Sequence, residues 1–354
     1  MNFDKFEIPE SLTPVVVIQG RRCIEKSSFI VGLLKSSPNL SVGVITNESA
    51  AFLHAAVDAE RVEGEFVPHA VGCLCCVSRS GLVDALRRLH VRRLAAGSRL
   101  DVVIVETAET SDPAPVLQTL MNNPLVTHYY RLSSVVQVVG AAQELPSVSL
   151  ADQSAKQIAL ADRIVFGQDS RTSPTPELVN FVSAVNPSVQ IFGTNEATLE
   201  NLGGASARDE FSRAGNLDAW LCSGEEDVSV AGCNLFRFRA RLPGNISWEA
   251  FHGWLGAALQ SHGDVIYRLR ALLSVDGETC PVYLQSAQHV IEPPSILESW
   301  GAMDPVTHLH FVTRNLHPDV VRSSLANDLP IFAASAAQRE YRQQRALLDP
   351  SLPV

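Results

Sequence analysis

Short runs of aliphatic and β-branched residues, separated by polar turns and helix-spaced segments, organise the first half of the chain. Thr13 to Gly20 (Thr-Pro-Val-Val-Val-Ile-Gln-Gly), Ser41 to Thr46, Leu100 to Thr107, Val135 to Val139 and Arg163 to Phe166 have the near-continuous apolar character of strands buried on both faces. Lys26 to Ser36 and Ala155 to Ala161 are helix-like, and Ser80 to Ala95 carries Leu82, Leu86 and Leu89 at helical spacing. Strands alternating with helices over Pro14 to Phe192 predict an α/β fold built on a doubly wound, mostly parallel sheet.

The pattern changes further on. From residue 196 to 228 the chain is rich in Gly, Ser, Asn and acid, including Gly203-Gly204 and Gly224-Glu225-Glu226-Asp227, which predicts a linker or irregular segment. In Cys233 to Leu242, Phe236, Phe238 and Ala240 alternate with Arg237, Arg239 and Arg241, the period of a half-buried strand. Trp248, Phe251, Trp254, Leu255 and Leu259 then mark an amphipathic helix, and strands follow at Val265 to Leu273, Val282 to Gln285 and Thr307 to Val312. The expected organisation is a first domain over 1–195, a linker over 196–228, a smaller α+β domain over 229–325 and a charged tail over 326–354.

Composition narrows the partners. With 354 residues, 46% of them hydrophobic and 19% charged, the chain can bury two ordinary cores. A net charge of −10 and a pI near 5.5 argue against nucleic acid, and Arg87-Arg88 and Arg92-Arg93 suit a solvated helix face. The mixed acidic start is no secretory leader, and no apolar run is long enough to span a bilayer, so a cytoplasmic protein with no membrane partner is expected. Seven cysteines in a chain of this size suit a reducing compartment.

Three of those cysteines fall within four residues, in Val71-Gly72-Cys73-Leu74-Cys75-Cys76. Thiolates are ligands for zinc, copper(I) or iron, and such a cluster offers two or three sulfurs from one turn. In a regular strand Cys75 and Cys76 would face opposite ways, so convergence needs irregular backbone, which Gly72 permits. Three small buried hydrophobes are the plain alternative, and a redox pair is a third. A closed zinc site needs a fourth ligand from elsewhere.

The run from Gly20 to Ser27 follows a strand and precedes a helix, the setting of a phosphate-binding loop with the pattern Gly-x4-Gly-Lys-Ser/Thr. The first glycine, Lys26 and Ser27 are present, but the second glycine is Glu25. A carboxylate about 4 Å from a phosphate charge costs about 4 kcal/mol at an effective dielectric near 20, roughly a thousandfold in affinity unless the side chain swings away. Glu106 ends the clearest strand, where the acid facing a metal–nucleotide is expected, and Glu109 stands where a switch glycine would be.

Together these segments resemble the CobW family of metal-handling, phosphate-loop GTPases. Gly20 to Ser28 is similar to its Gly-x-x-Gly-x-Gly-Lys-Thr-Thr loop, and Asn47-Glu48 resembles its Asn-Glu segment. Gly72-Cys73-Leu74-Cys75-Cys76 looks like its Gly-Cys-Ile-Cys-Cys hallmark, and Glu106 to Pro113 resembles Glu-Thr-Ser-Gly-x-x-Asp-Pro. Similarity continues through Leu255, Arg268 to Leu273, Gln285 to His289, Trp300 and Phe311 to Arg314. The resemblance implies a P-loop NTPase-like first domain and a metallochaperone or metal-insertion role serving a client metalloprotein, with self-association left open. It implies a transition-metal site of Cys73, Cys75, Cys76 and Glu48, with His69 as a nearby alternative, holding zinc, cobalt or iron. For a nucleotide it implies Gly20, Lys26, Ser27, Ser28 and Glu106.

The departures point the other way for GTP and magnesium. Besides Glu25 and Glu109, Gly167-Gln168-Asp169-Ser170 stands where the family reads guanine with Asn-Lys-x-Asp, and Val139-Gly140 where it has Val-Asp. The reading expected is therefore a metal-binding protein with lost or impaired GTP binding and hydrolysis. An active GTP-hydrolysing metallochaperone and a non-catalytic scaffold for a metalloenzyme are the alternatives.

Overall fold

The structure is a computed structural model that describes residues 12–20, 23–46, 64–68, 79–108, 112–140, 148–167, 174–187, 189–203, 227–230, 234–301 and 303–329. Two compact units divide at residue 224.

The first unit holds β1 (Thr13–Gly20), α1 (Cys23–Ser36), β2 (Val42–Thr46), β3 (Gly64–Pro68), α2 (Arg79–Ala95) and β4 (Val102–Glu106). There follow α3 (Ala114–Asn122), α4 (Pro124–Thr127), β5 (Tyr130–Gly140), α5 (Val148–Leu160), β6 (Arg163–Gly167), α6 (Pro176–Val185), β7 (Gln190–Gly193) and α7 (Leu199–Gly203). Seven strands form one sheet in the order β3-β2-β4-β1-β5-β6-β7, and every pairing is parallel. Parallel sheets need both faces covered. Val16 and Ile18 of β1 accordingly pack with Phe29, Ile30, Leu33 and Leu34 of α1, while Val15 and Val17 on the opposite face are as deeply buried. On that second face a Cβ at Gly43 would lie 3.1 Å from Leu100 and 3.2 Å from Leu89 of α2, so the glycine lets the helix come close.

The segment expected as linker from residue 196 begins as packed structure. Ala197, Leu199 and Leu202 are buried in the same cluster as Val16 and Ile18, and Ser134 Oγ bonds the Leu202 carbonyl.

The second unit comprises β8 (Val228–Val230), β9 (Leu235–Leu242), α8 (Trp248–His262), β10 (Ile266–Leu273) and β11 (Val282–Ala287). It continues through β12 (Val290–Ile291), β13 (Ser295–Ile296), β14 (Thr307–Arg314) and α9 (Pro318–Asp328). Its sheet runs β12-β11-β10-β14-β9-β8, with β13 also on β11, all antiparallel. Alternation along β9 puts Phe238, Ala240 and Leu242 into a core with Trp254, Leu255 and Leu259 of α8 and Leu325 of α9. There Phe238 stacks on Phe311 with centroids 5.0 Å apart, and Trp254 donates its indole N–H to Ser324 Oγ at 3.0 Å. Among the described residues no helix is long and apolar enough to cross a membrane.

The register puts the alternate positions of these strands on the other face: Arg237 and Arg239 of β9, His310 of β14, and Arg268 and Arg270 of β10. His310 is only 4% exposed. Burial, and then the guanidinium groups of Arg270, Arg237, Arg239 and Arg268, hold its pKa well below the ordinary 6.5. The unfolded chain therefore takes up a proton that the folded chain refuses. The contribution is favourable above about pH 6.5 and is lost on acidification, by at most ~1.4 kcal/mol per pH unit. Urea midpoints measured from pH 7 to pH 5 should fall, and His310→Gln should flatten that fall.

Candidate functional site

Because the first sheet is parallel, all its strands end at one edge, where open α/β sheets place their sites. In the order β2, β4, β1, β5, that edge presents Thr46, Glu106, Gly20 and Gly140, the last residue of each strand. Gly20 has φ +157°, and a Cβ on it would stand 2.6 Å from the Val138 carbonyl oxygen of the neighbouring strand. Only glycine fits both the dihedral and the space.

Chain direction then delivers α1 over the sheet. Lys26, in its second turn, is fully buried, and its ammonium donates to the Thr107 carbonyl at 2.7 Å, just past the end of β4. Ser27 is equally buried and its hydroxyl lies 3.4 Å from Glu106 Oε1, while Thr46 donates to Glu106 Oε2 at 2.5 Å. Glu106 has no exposed surface. One carboxylate flanked by two hydroxyls on adjacent elements is a set of hard oxygen donors of the kind magnesium takes together with phosphate oxygens. Ser28, the remaining loop residue singled out in the sequence, is exposed.

Glu25 lies in the first turn of α1, and its carboxylate rests against Gly140 of β5. The segment after β4 is fixed at both ends. Thr107 donates its N–H to the Ile18 carbonyl at 2.9 Å, and Asp112 accepts from the Ala114 N–H at 3.0 Å and from Lys156 Nζ of α5 at 2.5 Å. Glu109, between these anchors in sequence, lies outside the described residues, as do Glu48, His69, Cys73, Cys75, Cys76 and Gln168 to Ser170. Among the described residues no group of three or more His, Cys, Asp or Glu side chains could hold a metal ion.

Residues 14–190 match the CobW/HypB/UreG nucleotide-binding domain, and residues 236–329 match the cobalamin synthesis protein cobW C-terminal domain. The chain belongs to the CobW/HypB/UreG family. Among its relatives, the zinc chaperone YjiA of Escherichia coli is 20% identical over 320 residues, which span 88% of this chain and 97% of YjiA. The zinc-regulated GTPase metalloprotein activator 1 of Schizosaccharomyces pombe is 21% identical over 349 residues, 87% of this chain and 81% of that protein. The crystal structure of Zn(II)-bound YjiA GTPase superposes with a TM-score of 0.60 at 17% identity, covering 90% of this chain and 99% of YjiA. A Zn(II)-bound triple mutant of YjiA gives 0.65 with the same coverage. At these identities the superpositions establish a shared fold.

Two participants in this CobW-family site were not singled out in the sequence. Thr46 could have been found as the hydroxyl ending the strand that leads to Asn47-Glu48. Lys156 carries no local signal, because its partner Asp112 lies 44 residues away. The Thr46 contact gives a direct test. Removing one donor from a buried carboxylate costs about 1–3 kcal/mol, so Thr46→Val should lower the urea unfolding free energy by that amount and Thr46→Ser should retain most of it.

Proposed function

We propose that this CobW-family chain is a zinc-handling metallochaperone that holds its cargo through Cys73, Cys75, Cys76 and Glu48 and delivers it to a client metalloprotein, with GTP binding and hydrolysis impaired. The donor chemistry supports zinc, with cobalt(II) or iron(II) as related cargoes: three thiolates and a carboxylate make a closed tetrahedral set. The names of the relatives, a zinc chaperone and a zinc-regulated activator, agree with that cargo. β2 and β3 are paired neighbours in the sheet, and Glu48 follows the last residue of β2 by two positions and Cys73 that of β3 by five. Within this reading the first domain runs through α7 to Gly203, past the limit expected at 195, and the second runs from about residue 229 through α9 to Leu329, past the limit expected at 325.

One observation carries the impairment: a carboxylate, Glu25, in the first turn of the helix whose N-terminus would receive phosphate. Glu109 and the Gly167 to Ser170 segment add to it, the first by charge and the second by lacking the acid that pairs with guanine. A second reading, an active GTPase, is favoured by the Lys26, Ser27, Thr46 and Glu106 constellation.

Cobalt(II) added to the purified protein should give a thiolate charge-transfer band that zinc displaces and that Cys75→Ala with Cys76→Ala abolishes. A band that survives the double substitution would remove the metal assignment. Phosphate release from GTP should stay at background in the unaltered protein. Release above background that disappears in Lys26→Ala would establish the second reading.

A further inference from the structure

The Glu25 carboxylate and Gly140 fit together more closely than a side chain at 140 would allow. A Cβ built on Gly140 would lie 2.5 Å from Glu25 Oε1, 2.9 Å from Oε2 and 3.0 Å from Cδ. The backbone does not ask for glycine there. Gly140 is absent from the positive-φ residues, and it pairs in regular register with Gly167 of β6. What a side chain at position 140 would meet first is the Glu25 carboxylate, the far end of a flexible side chain, which would have to move.

The position of this contact matters because β1 has a different neighbour on each side. Lys26, Ser27, Thr46 and Glu106 gather on the β4 side of β1, whereas Gly140 closes β5 on the other. Glu25 precedes Lys26 directly in α1, yet its carboxylate lies on the β5 side.

We propose that Gly140 is a positioning residue: by presenting no side chain it seats the Glu25 carboxylate on the β5 side and sets how strongly that charge opposes phosphates held by Lys26 and Ser27. The proposal rests on the reading of Glu25 as the group that impairs nucleotide binding. Doubling a charge separation from about 4 to about 8 Å halves the Coulomb repulsion, which at an effective dielectric near 20 is worth roughly thirtyfold in an equilibrium constant. A chain with the carboxylate seated binds nucleotide weakly, and a chain with the seat filled binds it more weakly still.

The test uses the full chain with Gly140→Ala, Glu25→Ala, Glu25→Gln and the two double variants, measuring magnesium–GDP affinity and urea unfolding on each. Gly140→Ala should weaken GDP binding on the order of tenfold while Glu25 is present, and by less than about twofold beside Glu25→Ala. Glu25→Gln with Gly140→Ala keeps the crowding but removes the charge. Its affinity should recover while its unfolding midpoint stays low, a separation that a purely structural role would not produce. GDP binding to the Glu25 variants that stays below detection would overturn the proposal, because removing the charge has to raise affinity if the seat governs its repulsion. If Gly140→Ala alone does not fold, recovery of folding by Glu25→Ala supports the seat and failure of both chains overturns it. Equal effects of Gly140→Ala with and without Glu25, on affinity and midpoint alike, also overturn it. The underlying reading fails in a different way, by Glu25→Ala leaving GDP affinity unchanged while the unfolding coupling persists.

Discussion

A carboxylate without exposed surface, Glu106, sets the terms at the end of the first sheet. Burying such a group is costly unless its oxygens are hydrogen-bonded, and removing one partner exposes that cost. Thr46 and Ser27 supply donors from β2 and α1, and the Lys26 ammonium is bound one residue away at the Thr107 carbonyl. Two elements, α1 and β2, are thereby fixed to the end of β4. The start of α1 and the last residue of β2 are held to one buried carboxylate.

The sheet then divides the work between two sides of β1. Both faces are covered by helices, so the strand ends are where chemistry can meet solvent and ligands. The β4 side carries a cation, two hydroxyls and an acid in positions suited to phosphate and magnesium. The β5 side carries the added carboxylate of Glu25 against Gly140. Polar groups also reach beneath this edge, where Gln19 of β1 donates to the Gln157 carbonyl of α5 at 2.8 Å. Because Lys156 holds Asp112, α5 touches both the strand leading into the loop and the segment after β4.

Much of this architecture is legible in the chain because its periodicities are strong. β1 has the bounds expected, Thr13–Gly20, and α8 begins at Trp248 as its apolar spacing indicates. β3 and β7 were not anticipated, and their sequences explain why. Gly-Glu-Phe-Val-Pro at the sheet's edge contains three poor strand formers, and β7 has four residues, none of them fully buried. The helices α3, α6 and α9 each begin with a proline within their first two positions, a start signal that the apolar pattern alone does not register. At the site, Lys26, Ser27 and Glu106 were found through local spacing. Thr46 and Lys156 act across long separations, and Glu25 and Gly140 stand in the sequence as two separate departures 115 positions apart. Only the folded sheet brings that pair into contact.

The second unit contains a clasp of its own. Arg322 of α9 donates to both carboxylate oxygens of Asp227 at 2.7 and 2.8 Å and to the Arg239 carbonyl at 3.0 Å, and its guanidinium lies 5.4 Å from the centre of the Phe238 ring. The residue before β8 and the helix after β14 therefore hold each other. A shortened version that stopped after β14 would unfasten Asp227 at the entrance to β8 and strip a lid from Phe238 in the same cut. The helix α9 is thus a keystone of that unit, to be kept whenever the unit is produced apart from the rest.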